Sequence, residues 1–343
     1  MTGGTRMAAE MAEQPAAVRG LVARFREQAP ALAPLAPTPG AGVVLLARGS
    51  SDHAAVFARY LFEWALGTPV VLAAPSLLTR YGRRPVLPGW TTIAISQSGR
   101  TPEIVTALEQ LAASGSATVA LTNDAGSPLA LAAQHTVPLG AGEEVAVPAT
   151  KTVTTSMAAV ALIADAFAGG LWAPGDWSAV VEGIAEALAD DAPAQAAGEV
   201  LASPAGSVHL GRGFSYPAAL ESALKLKEST GLVAEGASVA DFLHGPVAAL
   251  GGRPAACYLL EGPAAGDVRE VAQRLARSGA PIVGVGADLP GAAVSLPVRA
   301  GLPEPLAVLP LVVRAQQIAL AVARARGVDP DRPAGLAKIT RTR

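Results

Sequence analysis

The apolar positions of the chain fall into two alternating patterns. Short β-branched and aliphatic runs at 43–47, 69–72, 92–96, 117–121 and 135–138 are bounded by glycine, proline or polar clusters, as buried strands are. Between them, at 52–66, 102–113 and 152–168, apolar residues recur at helical spacing. The scheme returns further along, with strands predicted at 208–211, 255–260 and 281–285 and helices at 217–231, 266–278 and 306–326. Strands that alternate with helices of this length predict βαβ units and a parallel sheet covered on both faces. The most apolar windows, near 160 and 312, are interrupted by Asp165 and by Pro310, Arg314 and Gln316. They predict core helices, with no membrane partner.

The two halves share a local motif. Leu46-Ala47-Arg48-Gly49-Ser50-Ser51 aligns with Leu210-Gly211-Arg212-Gly213-Phe214-Ser215, and Ala54-Ala55 with Ala218-Ala219, at a constant offset of 164 (212 − 48). Each copy is a strand that runs into Arg-Gly and then a helix. The repeat predicts an α/β chain of two tandem doubly wound parallel-sheet domains. The expected division is an N-terminal helical segment over 1–40, a first domain over 41–172, a connector over 173–198, a second domain over 199–328 and a C-terminal tail over 329–343 that closes the active site.

Composition mainly excludes. Hydrophobic residues make up 51% and charged residues 16% of 343 residues, enough for two cores. Lys and Arg number 26 against 28 Asp and Glu, so there is no basic footprint for nucleic acid. Cys257 is the one cysteine and sits in an apolar run, where an inert thiol is expected. Glu10 and Glu13 break the N-terminal stretch where a leader would need an apolar run. A cytoplasmic location is the expectation.

The strongest chemical signal is Ile93-Ala94-Ile95-Ser96-Gln97-Ser98-Gly99-Arg100-Thr101-Pro102-Glu103. A buried strand ends in hydroxyls and glycine just before a helix opened by Pro102. Backbone N–H groups at a helix start, joined by the hydroxyls of Ser96, Ser98 and Thr101, form a cradle for an anion. Neither a GxGxxG nor a GxxxxGKS fingerprint accompanies it, so a sugar phosphate suits the loop better than a nucleotide. Simple helix capping by the same hydroxyls is the alternative.

Further motifs join this one: Arg48-Gly49-Ser50-Ser51-Asp52-His53, Glu143-Glu144 with Ala149-Thr150-Lys151, Leu224-Lys225-Leu226-Lys227-Glu228, His244-Gly245-Pro246, and Pro333-Ala334-Gly335-Leu336-Ala337-Lys338. In this order the set resembles the sugar isomerase (SIS) family. It is similar to the isomerase half of glucosamine-6-phosphate synthase and most closely to the stand-alone SIS-type glucosamine-6-phosphate deaminases. The resemblance implies that Ser96, Gln97, Ser98 and Thr101 hold a 6-phosphate, with Gly49 and Ser50 in support. It implies that Ser51, the Val147 backbone and Ala149 line the sugar hydroxyls. Glu228 would then carry a proton between the first and second sugar carbons, His244 would open the ring, and Lys338 would close over the open chain. His53, His135 and His209 are expected to be structural.

By the same resemblance the substrate is a hexosamine 6-phosphate, no metal and no organic cofactor is needed, and the partner is a second copy in a homodimer with shared active sites. Residues 1–40 leave no room for a glutamine amidotransferase or a DNA-binding domain before the first strand. Two departures stand out. Ala149 occupies a position where the family often has serine, and Val233 one where it usually has histidine. Val233, with Gly231 and Gly236, predicts a less polar and more flexible loop. The reactions left open are deamination of glucosamine 6-phosphate to fructose 6-phosphate, dehydration of its N-acetyl form, deglycation of a fructosamine 6-phosphate, and sensing without turnover.

Overall fold

The computed structural model describes residues 3–336 and 338. In chain order, α1 (Thr5–Ala12) and α2 (Gln14–Leu32) precede β1 (Val43–Leu46), α3 (Ser50–Leu66), β2 (Val70–Leu72), α4 (Pro75–Thr79), β3 (Thr91–Ile95), α5 (Pro102–Ala112), β4 (Ala117–Thr122), α6 (Pro128–Ala132), β5 (His135–Pro138) and α7 (Lys151–Ala168). Then follow α8 (Pro174–Ala189), α9 (Ala192–Leu201), β6 (Ser207–Gly211), α10 (Tyr216–Thr230), β7 (Ala234–Ser238), α11 (Val239–Leu243), β8 (Ala255–Leu259), α12 (Ala265–Arg277), β9 (Ile282–Gly286), β10 (Val294–Pro297) and α13 (Glu304–Ala325).

These elements form two compact units. The N-terminal unit holds Ala16–Glu144 and Lys151–Trp177; the C-terminal unit holds residues 3–15, Val145–Thr150 and Ser178–Lys338. Each contains one five-stranded sheet in which every pairing is parallel, ordered β2-β1-β3-β4-β5 in the first and β7-β6-β8-β9-β10 in the second. The two orders are the same, with the first strand of each unit lying between its second and third. A sheet built this way reverses its direction of growth between the first and third strands, and the crevice outside their C-terminal ends is where such sheets take ligands. In each sheet two central strands, β1 and β3 in one and β6 and β8 in the other, are buried along their whole length. That explains why β1 and β8 read as continuous apolar runs rather than alternating ones.

The repeat read from Arg48 and Arg212 holds in three dimensions. Both lie in the turn from the first strand to the following helical segment, and both precede a glycine in the left-handed region, Gly49 at φ 59° and Gly213 at φ 58°. Such a turn excludes a Cβ-bearing residue at low cost.

One feature differs from expectation. Residues 231–236 are no loose loop: Gly231 caps α10 at φ 71°, donating its N–H to Lys227 O at 2.9 Å, and residues from 234 on pair with β6 as β7. Gly236 permits this packing, because a Cβ there would fall 2.8 Å from Leu220 Cα on α10. Residues 173–198 fold as α8 and most of α9.

Helices α7 and α13 are long and apolar enough to cross a membrane, yet 78% and 100% of those windows are buried within the fold. Arg314 shows how a charge survives there. Its guanidinium donates to the carbonyls of Ala187 at 2.9 Å, Asp190 at 2.8 Å and Pro297 at 3.1 Å, protein acceptors that take the place of water.

Candidate functional site

In the N-terminal unit the sequence-predicted binding residues converge on the crevice between β1 and β3. Gly49, Ser50 and Ser51 follow β1, with the two serines half-buried in the first turn of α3. Ser96, Gln97, Ser98 and Thr101 follow β3. The loop after β3 is held by its backbone: Ser96 N–H donates to Leu121 O at 3.0 Å, Asn123 N–H to Gln97 O at 3.0 Å, and Leu129 N–H to Gly99 O at 3.0 Å. Gly99, at φ 61°, has no room for a side chain, since a Cβ would lie 2.1 Å from Ser127 Oγ.

The hydroxyls behave differently from caps. Thr101 is the N-cap of α5, yet its side chain makes no capping bond. Among the described residues, Ser96 Oγ and Ser98 Oγ accept only within the loop, from Gly99 N–H at 3.2 Å and Arg100 N–H at 3.3 Å. Their O–H groups therefore remain available as donors at the start of an eleven-residue helix, whose dipole favours an anion.

Charge around the loop is balanced. Glu103, in the first turn of α5 and buried, accepts from Arg48 Nε at 3.2 Å, so its negative charge is countered where an incoming anion would feel it. Arg100, between Ser98 and Thr101, pairs with Asp124 at 2.8 Å, and this guanidinium holds the Asp124 carboxyl below its ordinary range. Burial raises Asp52, against the pull of His53 and Arg48.

The C-terminal unit carries the other predicted residues, Val147, Ala149, Glu228, His244 and Lys338. The segment Val145–Thr150 is pinned from several sides. Glu10 Oε1 accepts from the N–H groups of Val145 and Ala146, Gln316 donates to Thr150 O at 3.2 Å, and Lys338 Nζ donates to Ala146 O at 2.7 Å. The Lys338 amine thus sits on the carbonyl of the residue next to Val147. Of the tail motif, Ala337 lies outside the described residues, as do residues 339–343.

Glu228 on α10 is partly exposed, and its carboxylate accepts a short bond from Lys225 Nζ. Lys225 is fully buried and its ammonium also lies 3.5 Å from Glu221, itself fully buried. Positions 221, 225 and 228 fall on one helix face by their spacing, with 221 and 225 fully buried. The bond from the buried Lys225 holds the Glu228 carboxylate in place. Sequence reading missed Lys225 and Glu221. Their signal is a Glu-x3-Lys-x2-Glu series interleaved with Ser222, Ala223 and Leu226, small and apolar neighbours that an exposed charged face would lack.

His244 ends α11 and is exposed, its backbone N–H on Asp241 O at 3.1 Å. Val233 is 77% exposed. His209 is core: its Nε2 lies 2.9 Å from Ser207 Oγ, its ring stacks on Tyr258, and burial pushes it down to about 3, so it is neutral. Cys257 beside it is buried, its thiol pushed up to about 12 and inert.

Comparison with known proteins agrees with this layout. Residues 42–166 match the SIS domain family. A glutamine–fructose-6-phosphate aminotransferase (isomerizing) from Methanothermobacter thermautotrophicus is 31% identical over 97% of this chain and 56% of its own length. The chain thus spans about half the length of the curated relatives it matches. A Silicibacter pomeroyi protein provisionally assigned as a phosphosugar isomerase superposes with a TM-score of 0.83 at 34% identity, covering 95% of this chain and 99% of the other. A glucosamine-6-phosphate deaminase from Thermotoga maritima shares the fold, with a TM-score of 0.81 over 98% of this chain and all of the other, at 21% identity. With the strand order, the hydroxyl loop and these relatives in agreement, the chain belongs to the SIS domain family of phosphosugar isomerases.

Proposed function

We propose that the protein is a glucosamine-6-phosphate isomerase and deaminase. The observation that carries this reading is the Glu221–Lys225–Glu228 triad. Glu228 is partly exposed yet bound to a fully buried lysine that a second buried glutamate accompanies, and a base that removes a carbon-bound proton must be oriented in this way.

In this reading the loop 96–101 takes the 6-phosphate, with Ser96, Ser98 and Thr101 donating to its oxygens. His244 protonates the ring oxygen and takes the anomeric proton, giving the open-chain aldehyde. Glu228 removes the proton from the second carbon, leaving an enaminol across the first two carbons, and returns it to the first carbon. The result is a 2-imine of fructose 6-phosphate. Water adds to that imine and ammonia leaves, so one water is consumed and one ammonia released for each fructose 6-phosphate. Lys338 covers the open chain. The reading carries a homodimer and a cytoplasmic location with it, to be tested by light scattering and by cell fractionation.

The test is incubation with glucosamine 6-phosphate and, separately, its N-acetyl form, following ammonia and ultraviolet absorbance. Ammonia from the free amine is expected. A new chromophore from the N-acetyl form without ammonia would replace deamination by dehydration, and binding without turnover would reduce the protein to a sensor.

A further inference from the structure

Away from the sugar-phosphate loop, the N-terminal unit has a second concavity of about 360 Å³, within the range of small-molecule pockets. It opens beside the edge strand β2 and reaches into the core on one face of the sheet, where Val44, Leu78, Leu87, Trp90 and Leu111 form its walls. A well-packed core leaves no cleft of this size lined by aliphatic groups.

The rim has the opposite character. Residues 81–86, Tyr81-Gly82-Arg83-Arg84-Pro85-Val86, are all exposed, and Arg83 and Arg84 line the mouth. Among the described residues neither guanidinium has an acidic partner. Two permanent charges without counter-ions, placed over an apolar floor that includes an indole, match one kind of molecule. Its body must be apolar to bury against the walls, and it must end in an anion that reaches the arginines.

We propose that this cleft binds small amphipathic anions, an aromatic or aliphatic body bearing one carboxylate, sulfonate or phosphate group. The site is independent of the phosphosugar reading, because it uses none of the residues assigned to that reaction.

The probe is 8-anilinonaphthalene-1-sulfonate, titrated by fluorescence against the full chain. One saturable site per chain is expected, undisturbed by inorganic phosphate, which separates it from the loop 96–101. N-phenyl-1-naphthylamine, the same body without the sulfonate, should bind at least ten-fold more weakly, and the Arg83→Ala, Arg84→Ala double variant should lose at least ten-fold in affinity for the sulfonate. Ala74→Trp, which places an indole from an exposed position into the opening, should abolish binding. Arg277→Ala, on α12, should change nothing. Equal affinity for the uncharged analogue, unchanged affinity in the double arginine variant or in Ala74→Trp, or no saturable site at all would each overturn the proposal.

Discussion

The loops that follow the third strand of each sheet occupy equivalent places in one topology and have opposite chemistry. After β3 the chain reads Ser96-Gln97-Ser98-Gly99-Arg100-Thr101; after β8 it reads Leu260-Glu261-Gly262-Pro263-Ala264. The first loop offers hydroxyl donors, with its nearby Glu103 neutralised by Arg48. The second has no hydroxyl, carries carboxylates instead, and lines a cavity of about 340 Å³ with Glu261 and Glu304 at its wall. Glu304 lies so close to Gly262 that a Cβ there would sit 2.2 Å from its Oε2, Arg212 pairs with Asp267 at 3.2 Å, and Arg269 pairs with Glu261. Duplicated topology therefore supplies two equivalent loops, and side chains set their chemistry: hydroxyl donors that suit an anion in the first, carboxylates that repel one in the second. Fold and site are separate questions even within one chain.

The largest expected effect falls on catalysis. Glu228→Gln keeps the shape but loses the basic oxygen, so turnover should fall by about 10² to 10⁴ while phosphosugar affinity survives. Exchange of the hydrogen on the second carbon with deuterated water, followed by NMR, should fall in parallel. Near-normal exchange would remove Glu228 from the mechanism.

Next comes the buried cation behind it. Lys225→Met leaves Glu221 buried without its ammonium, and breaking such a pair costs about 3–5 kcal/mol of stability. Urea unfolding measures this directly. A loss under 1 kcal/mol, on the same scale of magnitudes, would mean the triad is solvated in solution.

The comparison of the two loops is sharpened by removing what distinguishes the first. Ser96→Ala and Ser98→Ala should each weaken binding of a 6-phosphorylated sugar by roughly 10- to 100-fold, since a hydrogen bond to a charged group contributes about 1.5–3 kcal/mol. Steady-state KM values report it, and an unchanged KM would return these serines to helix capping.

The smallest effect concerns the loop after β8, where Glu304 lies against Gly262. Burial raises the pKa of Glu304, so the folded state holds its proton more tightly than the unfolded chain. That contribution is fully present below the unfolded value and is lost as pH rises through the folded one. Glu304→Gln should therefore match the wild type in acid and become slightly more stable at neutral pH. Thermal unfolding at a series of pH values checks the sign; a variant less stable at neutral pH would show that the carboxylate is stabilising in its ionised form.

Much of this was legible in the residues. Buried parallel strands announce themselves as apolar runs, and the Arg-Gly turns at 48 and 212 exposed the duplication. β7 was not legible, because Ala-Glu-Gly-Ala-Ser carries no β-branched residue and its pairing depends on α10 lying close over Gly236. The binding loop could be read because a hydroxyl cradle is local in sequence. Lys225 and Glu221 could not, since helical spacing is the same for a solvated charged face and a buried one, and only burial in the fold distinguishes them.

The most direct measurement is a calorimetric titration of the Glu228→Gln variant with glucosamine 6-phosphate, where binding is not masked by turnover. One molecule bound per chain, with binding lost when Ser96→Ala and Ser98→Ala are added, is the predicted result. Two molecules per chain, or one whose affinity is indifferent to both serines, would contradict the claim that the loop after β3 is where the phosphosugar binds.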